Sequence, residues 1–291
     1  MPGSGVLKLL LDADKNQNLP FFLILDEMNL SHVERYFADF LSAMESQEEI
    51  KLYDGGDDRY GCSQEAKSSD RIDSGMMFVP RTIKFPKNLF VIGTMNVDET
   101  TYMFSPKVLD RAQVIEFRVS KDEMSAFLDS PTTPNLDAIA GKGAKYAEAF
   151  LKLKDDPPAL DVEGKTDNKD AISAALKKFF EPLAGLGAEF GYRTAGEVIR
   201  FCQYYLAAGA TIDDAIDAAI VQKLLPKLHG STARLGPVLR KLKELASTLT
   251  TISEGGEQKQ VRQPIYKLTC EKLDRMQTRL MANGFTSFAE A

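Results

Sequence analysis

The chain has no tryptophan, and among its 291 residues there are only two histidines and three cysteines. Cys62, Cys202 and Cys270 are scattered without a C-x-x-C spacing, and His32 and His229 stand far apart, so neither a disulfide framework nor a zinc site is expected. Long apolar runs are also missing. Phe21 to Leu25 is typical of the longest, far short of the roughly twenty residues of a membrane helix, and no basic-then-apolar leader opens the chain, so a cytoplasmic protein with no membrane partner is expected. Positive charge is in deficit. A net charge of −6 and a pI near 5.2 argue against a strong nonspecific DNA binder, which needs Lys and Arg to neutralise phosphate. The one basic stretch, Lys223, Lys227, Arg234, Arg240, Lys241 and Lys243, reads as the solvated face of helices. One further absence matters: the residues before the first strand hold no G-x-x-x-x-G-K-[ST] phosphate loop.

What is present is a pair of apolar runs that stop abruptly at polar residues. Phe21-Phe22-Leu23-Ile24-Leu25 ends in Asp26-Glu27, and Asn88-Leu89-Phe90-Val91-Ile92 ends in Gly93-Thr94-Met95-Asn96. Such runs are expected of parallel strands buried on both faces, with their carboxyl ends opening on a ligand crevice. At 44% hydrophobic and 27% charged residues, the chain can bury a sizeable core in two domains.

The order of elements follows from periodicity. A helix over Val6–Ala13 hands over to the first strand through Asp14-Lys15-Asn16-Gln17-Asn18. Ser31-His32-Val33-Glu34 has the form of a capping box before a helical stripe of Val33, Phe37, Phe40, Leu41 and Met44. Ile50 and Ile83 flank a Gly-, Asp- and Ser-rich stretch, predicting a hairpin with a long tip over 46–86. A short helix at Pro106–Arg111 leads into Gln113–Val119, read as another strand. From Ser120 onward the pattern is helical nearly throughout. Capping boxes are expected at Thr194/Glu197 and Thr211/Asp214, Gly230 should stop a run, and a last helix carries Leu273, Met276 and Leu280 before Asn283-Gly284. The division expected is an α/β core over 1–119 and an α-helical domain over 120–291.

An acid pair at a strand tip can do specific chemistry. Asp26 can hold Mg²⁺ through its water shell, and Glu27 can take a proton from a water attacking a terminal phosphate. An amide at a neighbouring tip, Asn96, can orient that water without adding charge. Arg111 can reach a neighbouring subunit's phosphate, and Arg193, in Phe190-Gly191-Tyr192-Arg193, offers a second cation. Ala159-Leu160-Asp161-Val162-Glu163-Gly164-Lys165-Thr166 satisfies a relaxed phosphate-loop pattern. It follows Asp155-Asp156-Pro157-Pro158 in place of a strand and carries acids that oppose phosphate, so it is read as a solvent loop.

Leu25-Asp26-Glu27-Met28-Asn29-Leu30 followed by Ile92-Gly93-Thr94-Met95-Asn96 resembles the Walker B and sensor 1 segments of the McrB-type branch of AAA+ NTPases, motor subunits of modification-dependent DNA restriction. The resemblance runs from about Val6 to Val119 and more loosely through the helical part. It implies an incomplete P-loop AAA+ parallel sheet flanked by helices, then an α-helical lid. Asp26 would hold Mg²⁺, Glu27 would be the catalytic base, Asn96 the water-positioning residue, Arg111 the arginine finger and Arg193 the sensor 2 arginine. The hairpin insert would face a ring pore. The cofactors implied are Mg²⁺ with ATP or GTP, and the partners are copies of itself in a ring, a nuclease subunit of McrC type, and DNA through the assembly. The Walker A loop expected of the family is missing, so the chain is read as amino-terminally truncated, with weak or no nucleotide binding and no hydrolysis alone. Gln113–Val119 is then expected either to close onto Asn88–Gly93 or to leave a slot for another chain. Two other readings compete: a noncatalytic AAA-like interaction subunit, and a MoxR-like protein-remodelling ATPase.

Overall fold

The computed structural model describes residues 5–46, 48–52, 79–97, 104–161, 167–254 and 257–291. In chain order, the first elements are α1 (Gly5–Lys15), β1 (Phe21–Leu25), α2 (Val33–Tyr36), α3 (Ala38–Ser46), β2 (Glu49–Lys51), β3 (Thr82–Lys84) and β4 (Leu89–Gly93). There follow α4 (Pro106–Leu109), α5 (Lys121–Asp129), α6 (Ala147–Asp155), α7 (Asn168–Leu186), α8 (Tyr192–Ala207) and α9 (Ile212–Ala219). The chain closes with β5 (His229–Ser231), α10 (Thr232–Leu245), β6 (Ser247–Glu254), β7 (Glu257–Pro264), α11 (Lys267–Asn283) and β8 (Phe285–Ser287). Among the described residues no helix is long and apolar enough to cross a membrane.

Two compact units divide the chain at points other than the expected 1–119 and 120–291. The first holds residues 1–104 and 136–155, and the second holds 105–135 and 156–291.

In the first unit β1 and β4 pair in parallel, in the register Phe21↔Leu89 to Leu25↔Gly93. This is the pairing that places the two strand tips side by side. Asn88, almost fully buried, fixes the other end of the pair. Its amide group donates to the carbonyls of Ala13, Asn16 and Leu19 at 2.8–3.0 Å, tying the turn after α1 to the start of β4. Leu10, Leu11 and Ala13 of α1 are buried, as are Leu23, Val33 and Leu89. Burial on both faces was expected of β1 and β4, yet Phe22, Ile24 and Ile92 are exposed. Alternation explains the difference, since successive side chains point to opposite faces and only the Leu23 side meets the core. Phe150 of α6 covers part of the other face, its ring centroid 5.9 Å from Phe22 and 4.9 Å from Phe90.

The helix expected after Ser31 is interrupted. His32, not Ser31, is the N-cap of α2, with no side-chain cap bond, and the chain breaks at Phe37 before α3. Phe37 is buried and stacks on Phe40 at 4.7 Å, so aromatic packing sets the break. Ile50 pairs with Ile83 in the antiparallel β2–β3 ladder, as the flanking runs predicted. The tip of that hairpin, 53–78, lies outside the described residues, as do Val162 to Thr166 of the relaxed phosphate-loop match.

The second unit buries a continuous core of α7–α11, including Phe179, Leu183, Val198, Ile220, Leu239 and Leu273. Thr211 and Asp214 form the expected capping box on α9, and α11 ends at Gly284 in the left-handed conformation, φ 72°. Thr194 does not cap α8: the helix begins at Tyr192 with Gly191 as N-cap, and Thr194 is buried in its first turn. A β6–β7 hairpin pairs Ser247↔Pro264 through Glu254↔Glu257 where a nearly all-helical pattern was expected. Its Thr- and Gln-rich strands carry no apolar alternation to announce them. Nor is Gln113–Val119 a strand. Val114 N–H donates to the Gln222 carbonyl at 3.0 Å, and Glu116 pairs with Lys272 at 2.8 Å and Arg275 at 2.6 Å on α11. The alternating apolar residues Ile115, Phe117 and Val119 face outward, Phe117 being 93% exposed, so the two ion pairs decide which side of this extended segment is held down.

Asp217 links the helices of this unit. It lies on α9, but its carboxylate accepts from the N–H groups of Leu268 (2.7 Å) and Thr269 (2.8 Å) and from the Thr269 hydroxyl (2.7 Å), capping α11 from a distance in sequence. Burial outweighs these bonds and pushes its pKa above the ordinary carboxylate value. Asp217→Ala strands three donors and is expected to lower unfolding free energy by about 2–4 kcal/mol in denaturant titration. The folded state binds the Asp217 proton more readily than the unfolded chain. Its pH-linked stabilisation is therefore present below the ordinary carboxylate pKa and lost as pH rises through the raised one. The stability deficit of Asp217→Asn, which does not ionise, is accordingly expected to shrink as pH rises above the ordinary carboxylate range.

Candidate active site

The parallel register sets Asp26 and Glu27, just beyond β1, beside Thr94, Met95 and Asn96, just beyond β4. Two backbone bonds extend the pairing past the strands, Thr94 N–H to the Leu25 carbonyl at 3.0 Å and Met28 N–H to the Thr94 carbonyl at 2.9 Å, and Glu27 N–H donates to the Thr94 side-chain hydroxyl at 2.8 Å. The same hydroxyl donates to Asp26 Oδ1 at 2.5 Å. A threonine hydroxyl has one proton and two lone pairs, so Thr94 takes from one acid's backbone while it gives to the other acid's side chain. Asn96 Nδ2 donates to Glu27 Oε1 at 3.3 Å, and the Asn96 carbonyl accepts from the buried Asn29 amide at 2.8 Å.

The structure therefore brings Asp26, Glu27 and Asn96 into one hydrogen-bonded group, with Thr94 at its centre. All four are exposed at the strand tips and not sealed in the core. Thr94 was not singled out from the sequence, although a hydroxyl two residues before the strand-end amide was the available signal. Among the described residues no cluster of three or more His, Cys, Asp or Glu side chains forms a ready-made metal cage. The donor set fits Mg²⁺ held through water. Such an ion would keep much of its own shell, and Asp26, its Oδ1 fixed by Thr94, is the carboxylate that would hold it beside a phosphate.

Glu27 has φ 48° and ψ 45°, the only left-handed non-glycine residue among those described. That conformation carries a cost for a residue with a Cβ, and here the Thr94 bonds hold it. Space is tight behind it as well. A Cβ on Gly93 would lie 2.4 Å from Met28 Sδ. Gly93→Ala is expected to cost about 1 kcal/mol in a denaturation experiment, because the flexible Met28 side chain can shift at the low end of the overpacking range.

Arg111 and Arg193 belong to the second unit. Arg111 follows α4, is half-buried, and its Nη1 donates to the Lys107 carbonyl at 2.7 Å. Of the two acids nearest in sequence, Asp110 pairs with Lys227, and Glu116 with Lys272 and Arg275. Arg193 lies in the exposed first turn of α8, its Nε 3.8 Å from Glu197 Oε1. Two lysines of the expected solvated basic face prove to be interior. Lys223 is 3% exposed and bonds Glu197 Oε2 at 2.5 Å and the Asp110 and Ala112 carbonyls at 3.1 and 2.9 Å, and Lys227 pairs with Asp110. A break of the α-helical repeat explains this, since Ile220–Leu224 forms a π-turn that rotates Lys223 inward.

No curated protein and no solved structure matches the chain. Residues 135–285 match a protein family described as a domain of unknown function, DUF8727. That stretch takes in α6 of the first unit and most of the second, and leaves the strand-tip group outside it. Because the match covers just over half of the chain, the chain belongs to the DUF8727 family.

Proposed function

We propose that this chain is the Walker B-to-lid portion of an AAA+ NTPase related to the McrB type, hydrolysing ATP or GTP as part of a ring whose turnover drives movement of or along DNA. The observation that carries the reading is the hydrogen-bonded group of Asp26, Thr94, Glu27 and Asn96 at adjoining parallel strand tips. Asp26 would hold the hydrated Mg²⁺, which would supply charge neutralisation on the phosphates. Glu27 removes the proton of the attacking water, and Asn96, bonded to Glu27 Oε1, fixes both the carboxylate and the water. Arg111 stabilises charge on a neighbouring subunit's phosphate, and Arg193 contributes a further cation.

No G-x-x-x-x-G-K-[ST] loop precedes the acid pair in this sequence, so the assay combines the chain with a loop-bearing chain and follows phosphate release from ATP and GTP. Turnover that requires Glu27 and Asn96 supports the reading. Turnover indifferent to both overturns it. Hydrolysis stimulated by DNA favours the restriction-type motor over a protein-remodelling ATPase, and hydrolysis that needs the chain but not Arg111 favours a scaffolding subunit.

A further inference from the structure

Lys223 is a residue with no role in the chemistry above and an unusual share of buried polar contacts. All three protons of its ammonium are committed: to the Asp110 carbonyl, the Ala112 carbonyl and Glu197 Oε2. The two carbonyls bracket Arg111. Glu197 offers its other oxygen, Oε1, to Arg193. One carboxylate thus stands between the cation that grips the Arg111 backbone and the second arginine assigned to phosphate.

We infer that Lys223 is a positioning residue, which aims Arg111 by clamping residues 110–112 against the π-turn and shares Glu197 with Arg193 so that the two arginines are set together. The inference rests on the NTPase reading and adds a residue to it. Further bonds hold the same segment: Asp110 to Lys227, Gln113 Nε2 to Gln222 Oε1 at 3.0 Å, and Val114 N–H to the Gln222 carbonyl at 3.0 Å. Lys223 differs from these in gripping both sides of Arg111 and in reaching Arg193 through a single carboxylate. An ammonium bonded to main-chain carbonyls holds the path of the backbone whatever the neighbouring side chains do. A displacement of about 1 Å in a group acting on the transition state can cost about 10²-fold in rate.

Lys223→Met keeps the length of the stem and removes the ammonium. In the chain alone, hydrogen exchange of the 110–114 amides is expected to quicken at least about tenfold while the amides of α10 and α11 keep their protection. Unchanged exchange at 110–114 overturns the clamp without touching the NTPase reading. In the hydrolysing assembly, Lys223→Met is expected to lower kcat about 10²-fold with KM for nucleotide little changed. In an Arg111→Ala background the further loss should be much smaller, limited to the part that passes through Glu197 to Arg193. Equal losses in both backgrounds would mean a merely structural lysine and refute the inference. If Arg111→Ala itself leaves turnover intact, the finger assignment fails first, and the exchange result still reports on the clamp.

Discussion

Arg111→Ala is expected to lower phosphate release by about 10³–10⁵-fold in an assembly where this chain supplies the finger to its neighbour. The size follows from where the guanidinium acts: charge develops on the phosphoryl oxygens in the transition state, in a site that excludes much of the water which would otherwise screen it. In the structure, Arg111 Nη1 rests on the Lys107 carbonyl at 2.7 Å, a bond to a neutral acceptor at the end of a short helix. Arg111→Lys should restore only part of the rate, since an ammonium lacks the planar fork that bridges two oxygens. Action between subunits has its own signature. Mixing Arg111→Ala chains with Glu27→Gln chains should recover part of the activity that neither has alone, because some interfaces then join an intact Glu27 to an intact Arg111. No recovery on mixing would place the arginine in its own subunit's site, and an Arg111→Ala assembly with full turnover would favour the scaffolding role.

Glu27→Gln is expected to slow turnover by about 10²–10⁴-fold while leaving nucleotide affinity nearly unchanged. Glutamine keeps the side-chain length and an oxygen for the Asn96 amide, so the 3.3 Å contact survives while the capacity to take a proton is lost. Nucleotide held without turnover, seen as retained fluorescent-analogue binding with phosphate release suppressed, is the result that fits. Backbone geometry supplies an independent readout. With φ 48° at this position, Glu27→Gly is expected to raise unfolding free energy by about 1 kcal/mol even as it abolishes hydrolysis. A gain in stability with a loss in rate is what a residue held in a costly conformation for its chemistry should give. A loss of both would mean that the Glu27 carboxylate holds the turn together.

The strand-tip group was readable before any coordinates because its signal is local. An apolar run ending in acids and a second ending in an amide each state where a buried strand stops, and parallel pairing then sets their ends together. The Ile50–Ile83 pairing and the caps at Thr211 and Gly284 were readable for the same reason, since alternation and capping act within a few residues. One misreading turns on partners distant in sequence. Gln113–Val119 has strand alternation, yet Glu116 meets Lys272 and Arg275 on α11, more than 150 positions away, and two ion pairs outweigh the pattern. Thr194 has the form of a cap, but α8 starts at Tyr192 and buries it.

Residue order alone thus settled which side chains end β1 and β4, since hydrophobic runs and their polar stops are properties of neighbouring residues. Folding in three dimensions settled what holds them: Thr94 bridging Asp26 and Glu27, Asn88 fastening the far end of the pair, Asp217 capping a helix from another, and Lys223 turned inward by a π-turn. Each of these four is a polar group stabilised by a partner at least 51 residues away, and such bonds leave no periodic trace in a sequence because their geometry exists only once the chain has packed.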